Sequence, residues 1–236
     1  MKTVGLLVKV LWSPGEAMLL LSKNPRLLVP MVFLSAFSVV TGSAVLMKVD
    51  FPELTMRMIE RSTQGARMPD EQKNQIRTAM NSPVAKASFF GSTVIAPLLT
   101  VVIVAVVYFA VFTMVGRDAG FKAFLSITTF AFVPMIFSQL AALLRAYLVP
   151  PAFLMLDELG SLSAAVFLDR DSVTPVVFTA ANSVDFISIW TLILLVIGYG
   201  FVARKSLSKG TRTATVVGVF LLYVGFKLAS AALRGV

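Results

Sequence analysis

The chain has 236 residues, 57% hydrophobic and only 14% charged, with a mean hydropathy of +0.86 and a formal net charge of +9. A water-soluble domain carries roughly a quarter charged residues, so much of this surface must face lipid. The expected fold is all-α, a polytopic membrane helical bundle in one domain over residues 1–236. Cysteine and histidine are absent, which excludes disulfides, thiolate chemistry, imidazole metal sites and histidine-based triads. No enzyme activity, metal or cofactor is expected. The basic excess reads as topology and lipid contact. Nucleic-acid binding is not expected, because no basic stripe is interleaved with exposed aromatics.

At the amino terminus, Lys2 precedes Val4-Gly-Leu-Leu-Val, but Lys9 interrupts the apolar run and no small-x-small site follows before Pro14. The segment is expected to be retained. Ser13-Pro14-Gly-Glu16 predicts a helix start: a capping serine, a proline suited to the first helical position and a glutamate to close a capping box. That helix ends at Asn24-Pro25. Too short to span and flanked by Trp12, Lys23 and Arg26, it is expected to lie in the membrane interface.

A helix needs about 20 apolar residues to cross about 30 Å of hydrocarbon. Five stretches meet this pattern: 27–47, 89–115, 121–149, 186–203 and 215–233. The second contains Pro97. The third contains Pro134, which removes a backbone donor and predicts a kink. Two polar insertions, 48–87 and 150–184, separate the spans. In the first, Pro52–Ser62 and Pro69–Ser82 predict short helices, the latter with Asp70 and Glu71 in its first turn. In the second, Asp157, Glu158, Asp169 and Asp171 face a single Arg170, and its apolar stretches, Ser161–Leu168 and Val173–Ala181, are too short to cross.

Lysine and arginine mark cytoplasmic loops. With the amino terminus inside, the inside segments hold Lys2, Lys9, Lys23 and Arg26; Arg117 and Lys122; and Arg204, Lys205, Lys209 and Arg212. The acidic insertion and a tail with only Arg234 then lie outside. The 48–87 segment fits less well, since it carries Lys48, Arg57, Arg61, Arg67, Lys73, Arg77 and Lys86, accompanied by Asp50, Glu53, Glu60, Asp70 and Glu71. The two short, strongly biased loops are expected to dominate, leaving the carboxyl terminus outside.

Three charges lie near membrane depth: Arg145 late in the third span, Asp185 opening the fourth and Lys227 deep in the fifth. An unpaired charge at a helix centre costs roughly 2.5–3.5 kcal/mol on insertion scales, so pairing or snorkelling is expected. Arg145, Asp185 and Lys227 are therefore a candidate intramembrane polar cluster for an ion, a lipid headgroup or a proton. The structural alternative has Arg145 and Lys227 reaching phosphates while Asp185 caps its helix. Arg204, Lys205, Lys209 and Arg212 are likewise either a cytoplasmic contact for an acidic partner or anionic lipid, or a plain topology signal. Gly198-x-Gly200 and Gly218 with Gly225 permit close helix packing. Gly116-x-x-x-Gly120 sits in a short loop and is not a helix-dimer motif.

Four stretches carry a family resemblance. They are Ser13-Pro14-Gly-Glu16 with Asn24-Pro25-Arg26 and Pro30; Val115-Gly116-Arg117 with Phe121-Lys122, Phe130 and Pro134; Asn182 with Asp185-Phe186, Trp190, Leu194 and Gly198; and the basic linker with the final span. Their order resembles the Yip1 family of five-span membrane proteins, and the chain is similar to its compact bacterial members. The resemblance implies a five-helix membrane fold, and no catalytic residues carry over from it. Together with the paired polar insertions and the lack of a catalytic constellation, it leads to the expectation of a scaffold, membrane-organising or trafficking-type role in the bacterial inner membrane. Eukaryotic relatives are associated with Rab-type GTPases and with vesicle traffic, and they place a longer soluble amino-terminal region in the cytosol. With the short lead-in here, GTPase binding is not expected. The partners expected are membrane lipids, and a second copy of the chain or another membrane protein. The alternative function is a small transporter or channel with a polar site near Arg145, Asp185 and Lys227.

Overall fold

The computed structural model describes residues 3–60, 65, 67–156, 158–168 and 172–234. Lys2, Arg61, Ser62, Asp157, Asp169, Arg170 and Asp171, which entered the charge and boundary reading, lie outside these residues. Among the described residues the chain is helical, and its only extended pairing is two isolated bridges. Two short helices, α1 (Thr3–Trp12) and α2 (Pro14–Lys23), precede the long α3 (Leu28–Leu46). Then come α4 (Phe51–Glu60), α5 (Asp70–Asn81) and α6 (Pro83–Val115), followed by α7 (Phe121–Ala131) and α8 (Met135–Leu148). After two 3-10 turns the chain ends in α9 (Pro175–Ser183), α10 (Phe186–Val202) and α11 (Lys209–Arg234).

Four helical stretches are long and apolar enough to cross a membrane: Leu28–Leu46, Gly91–Val115, Phe121–Leu148 and Lys209–Leu233. The remaining expected span, α10, is apolar but has 17 residues. Helix α6 starts earlier than the apolar run, because Ser82 caps it through Ala85 N at 3.2 Å and Pro83 occupies its first turn. At about 1.5 Å per residue its 33 residues reach well beyond the hydrocarbon. Pro134 divides the third apolar stretch. The chain turns through Phe132, Val133 and Pro134 between α7 and α8, with short-range bonds such as Phe137 N to Pro134 O at 3.0 Å bridging the break.

The amino terminus departs from expectation. Ser13 makes no side-chain cap bond, so the capping box does not form; Glu16 instead pairs with Lys9 at 2.5 Å. That pair staples α2 to α1, a helix that the broken apolar run 4–8 did not announce. Instead of resting on the surface, α2 packs against α7 and α10, with Ala17, Met18 and Leu21 fully buried. The reason is apolar area: residues 17, 18 and 21 share one helical face, and a core groove removes that face from water and headgroups. Arg26 fixes the exit from α2. Its N–H donates to Ser126 Oγ at 2.9 Å, its carbonyl accepts from the same hydroxyl at 3.0 Å, and its guanidinium reaches Thr3 Oγ1 at 3.0 Å.

The main core lies among α1, α2, α6, α7 and α10. Phe112, Phe124 and Tyr199 are fully buried in it. Phe109 meets Phe124 edge-on at 5.4 Å, and Phe124 stacks on Tyr199 at 5.1 Å, arrangements that aromatic quadrupoles favour. Gly198 makes this core possible. A Cβ there would lie 2.3 Å from Ile127 Cγ2 and 3.1 Å from Met18 Sδ, so α10 touches α7 and α2 through bare backbone. Gly42 does the same for α3 against Thr93 of α6, at 2.8 Å. Gly200, Gly218 and Gly225 face open space and serve no such contact.

Candidate functional site

The bundle has two unlike ends, and the charged residues sort onto them. At one end the α6–α7 turn and the α10–α11 turn are bonded together. Arg117 and Ala203 form an antiparallel bridge, Asp118 N donates to Val202 O at 2.9 Å and Arg204 N donates to Gly116 O at 3.1 Å. The Asp118 carboxylate then accepts from Lys205 N at 2.9 Å. Gly116 enters this latch at φ +135, a conformation that a Cβ makes costly.

Arg212 locks the same turn. Its guanidinium donates to Gly200 O at 2.8 Å, Lys205 O at 2.9 Å, Leu207 O at 3.1 Å and Arg204 O at 3.2 Å. Those carbonyls belong to the end of α10 and the linker, where helical partners run out. Arg212 is thus absorbed by its own chain, whereas Arg204, Lys205 and Lys209 leave their side chains exposed. Arg117 is occupied too, on Thr113 Oγ1, Ala119 O and the Phe109 ring, 4.3 Å from its centroid. On the neighbouring hairpin, Lys9 holds the Glu16 carboxyl below the usual carboxylate range, by a hydrogen bond and by its charge.

At the opposite end the two polar insertions meet. Val49 and Leu54 bury against Ala146, Leu154 and Leu159. Arg57 donates to Pro151 O at 2.8 Å and to Ala152 O at 3.2 Å, while Glu53 holds Arg57 at 3.4 Å and Arg77 at 3.3 Å. A chain segment over 158–163 crosses α8 here, tight enough that a Cβ at Gly160 would lie 3.1 Å from Ser138 O.

Arg145 and Asp185 both serve that segment, by different routes. The Arg145 guanidinium donates to Glu158 O and to Leu159 O. Asp185 is bridged to Ser163 through backbone, and its carboxylate accepts from Ser188 N at 2.7 Å and Ser188 Oγ at 3.0 Å, capping α10. Beside it, the Ser161 and Ser163 hydroxyls lie 2.7 Å from each other and 3.0 and 3.1 Å from Asn182 Oδ1, a cluster in which two hydroxyl protons are shared among three close contacts. Lys227 sits 5.7 Å from the Tyr223 ring one turn earlier on α11. The ion pairs among the described residues are Lys9–Glu16, Arg57–Glu53, Lys73–Asp70 and Arg77–Glu53. Each of the three candidate charges therefore has its own neutral partners.

Polar groups that the charge reading passed over lie deeper. Gln139 of α8 donates to Ser38 Oγ at 2.8 Å, and Thr41 Oγ1 donates to Gln139 Oε1 at 3.0 Å, tying α3 to α8. Thr128 and Tyr199 hydroxyls share a 2.6 Å bond inside the aromatic core, and Tyr108 donates to Val216 O at 3.0 Å. A lone glutamine in an apolar run was the one signal available, since an amide in hydrocarbon requires a partner. The hydroxyls gave none, because a threonine in a helix can also bond its own backbone. No three acidic side chains gather as a metal would require, among the described residues.

The long apolar helices, with polar residues gathered at two ends, define a multi-pass membrane protein of the helical-bundle class. Comparison with curated proteins and with solved structures gave no match. A family model described as the Yip1 domain matches residues 8–229. The chain belongs to the Yip1 family, which is associated with membrane trafficking and is not a family of enzymes.

Proposed function

We propose that this chain is a non-enzymatic membrane scaffold of the bacterial inner membrane, acting by packing against a second copy or another membrane protein. The observation that carries this reading is the contrast between satisfied polar groups and an unenclosed last helix. Arg145, Asp185 and Arg212 are bound to the protein's own backbone or neighbouring side chains. By contrast, the α11 span has 6% of its residues buried, and Leu222 and Phe226 are each 75% exposed. The chain lacks cysteine, so single cysteines at Leu222 and Phe226 can be crosslinked in membranes. Crosslinked dimers or a captured membrane partner are expected. A monomer at both positions, with nothing copurifying, overturns the reading.

In this reading α10 is the fifth crossing. Its 17 residues span about 25 Å at 1.5 Å per residue, inside the range for a crossing helix. It also joins the Ser163 end of the bundle to the Gly116 end. The amino terminus and the α6–α7 and α10–α11 turns are then cytoplasmic, and α5 and the carboxyl terminus lie outside. A cysteine at Ser206 should be labelled from the cytoplasm alone and one at Thr78 from outside alone. The reverse pattern overturns the orientation. The transporter alternative is tested in proteoliposomes, where no flux above empty vesicles is expected. Flux diminished by Asp185→Asn or Lys227→Met would replace the scaffold reading.

A further inference from the structure

We infer that the cleft between α3, α4, α5 and α6 binds one zwitterionic aminophospholipid by its headgroup. The cleft encloses about 870 Å³, within the size range of small-molecule sites, about 300–1,000 Å³. Its level is set by the helices that form it. Ser43 and Leu46 belong to the last turn of α3, and Ser88 and Ser92 precede or open the apolar part of α6. The cleft therefore straddles the point where hydrocarbon-facing helix gives way to polar insertion, which is headgroup depth.

The lining is amphipathic in the way a lipid is. Leu46, Met47, Val49 and Met80 supply apolar wall, and Ser43 and Ser88 supply hydroxyls. Among the described residues its charges are two and opposite, Lys48 and Asp50. They are not paired with each other or with another charge among the described residues. The Lys48 ammonium lies 5.1 Å from the Tyr147 ring centroid, a contact that leaves its hydrogen-bond donors available. One Asp50 oxygen caps α4, accepting from Glu53 N at 3.1 Å; the second has no hydrogen-bond partner among the described residues.

One cation and one carboxylate in the same lining complement in charge the phosphate and primary ammonium of an ethanolamine headgroup. Lys48 and the serines take the phosphate oxygens, and Asp50 takes the ammonium N–H groups. A choline headgroup has no N–H to offer the Asp50 carboxylate, and among the described residues the lining holds one aromatic, Phe51. An anionic glycerol headgroup would leave the Asp50 charge opposed. This inference is independent of the scaffold reading, because it holds for a monomer as well as an oligomer.

Native mass spectrometry of the full chain, reconstituted in equal parts of dioleoyl phosphatidylethanolamine, phosphatidylcholine and phosphatidylglycerol, tests it. The wild type is expected to retain one phosphatidylethanolamine about threefold over either competitor, the size of a solvent-accessible ion pair. Asp50→Asn keeps the cap acceptor and should reduce phosphatidylethanolamine to the phosphatidylcholine level. Lys48→Met should lower retention of all three lipids. Wild-type retention in the supplied proportions, or enrichment of phosphatidylglycerol, overturns the inference without any variant. So does an ethanolamine preference that survives both substitutions.

Discussion

The two ends of this bundle are built from similar ingredients, short helices and basic turns, yet they hold together by different physics. At the Gly116 end, α1 and α2 insert apolar faces into the aromatic core, and two turns share backbone bonds under Arg212. Burial and hydrogen bonding coincide there, so the contacts are cooperative. At the Asp50 end, α5 has no buried residue, and α4 is held by Leu54, Met56 and the Glu53–Arg57–Arg77 chain of partly exposed charges. Exposed ion pairs contribute little each. One end is a closed core and the other leaves a cleft. A rigid end suits positioning of spans, and an open end suits exchange of a ligand with the bilayer.

The sharpest way to break this contrast is inside the core. Phe124→Ala should destabilise the protein by about 3–5 kcal/mol, the usual cost of deleting a buried aromatic, read from denaturant titration of Trp190 fluorescence in detergent. Gly198→Ala comes next. With Ile127 Cγ2 2.3 Å from the new Cβ, α10 must move, at a cost of about 1–3 kcal/mol, whereas Gly200→Ala should be neutral or slightly stabilising in the same titration. Arg212→Met removes a charged donor set serving four carbonyls, worth about 1.5–3 kcal/mol. Trypsin should then cut after Arg204 and Lys205 faster than in wild type, and Arg212→Lys should restore little because it lacks the planar fork.

At the opposite end the expected effects are smaller and local. Arg57→Met should change global stability by under about 1 kcal/mol, while hydrogen exchange speeds up in peptides covering 51–60 and 150–156. A large global loss there would erase the distinction between the ends. The smallest effect is electrostatic. Lys9 depresses the Glu16 carboxyl, so the pair's stabilisation is present above the ordinary glutamate range and is lost as pH falls through the lower folded value. Exchange in α1 should rise on acidification below that range, and Glu16→Gln should remove the dependence.

Much of the fold was legible because its causes are local. A backbone in hydrocarbon must satisfy its own hydrogen bonds, so an apolar run of sufficient length predicts a helix without knowledge of its neighbours. Pro134 could be read as a break because its missing donor and ring clash act on its own helix. The helices at 51–60 and 70–81 carried their own signals, Pro52 and Pro69 at the start and Pro83 beyond the end. The α1 helix escaped notice because Lys9 made its apolar run look broken. The structure turns Lys9 toward Glu16 while Leu6, Leu7 and Val10 are buried. The capping box failed for a related reason: Glu16 had two uses, and a lysine from another helix outcompeted the cap.

The amino-acid sequence by itself determined most of the helices, α1 excepted, along with four of the apolar spans, the break at Pro134 and the family. Each of these depends on the residues within one stretch and on the dielectric around it. The tertiary structure alone decided what the charged and polar residues do. Arg26 meets Ser126 and Gln139 meets Ser38 across about a hundred residues of chain, and no spacing rule encodes such pairs. Asp185 and Arg145 stand near membrane depth in the sequence, but the 158–163 segment arrives between them and offers backbone partners to both. Whether a buried charge pairs with its opposite or with a carbonyl depends on which oxygen packing brings close, and only the assembled bundle sets that distance.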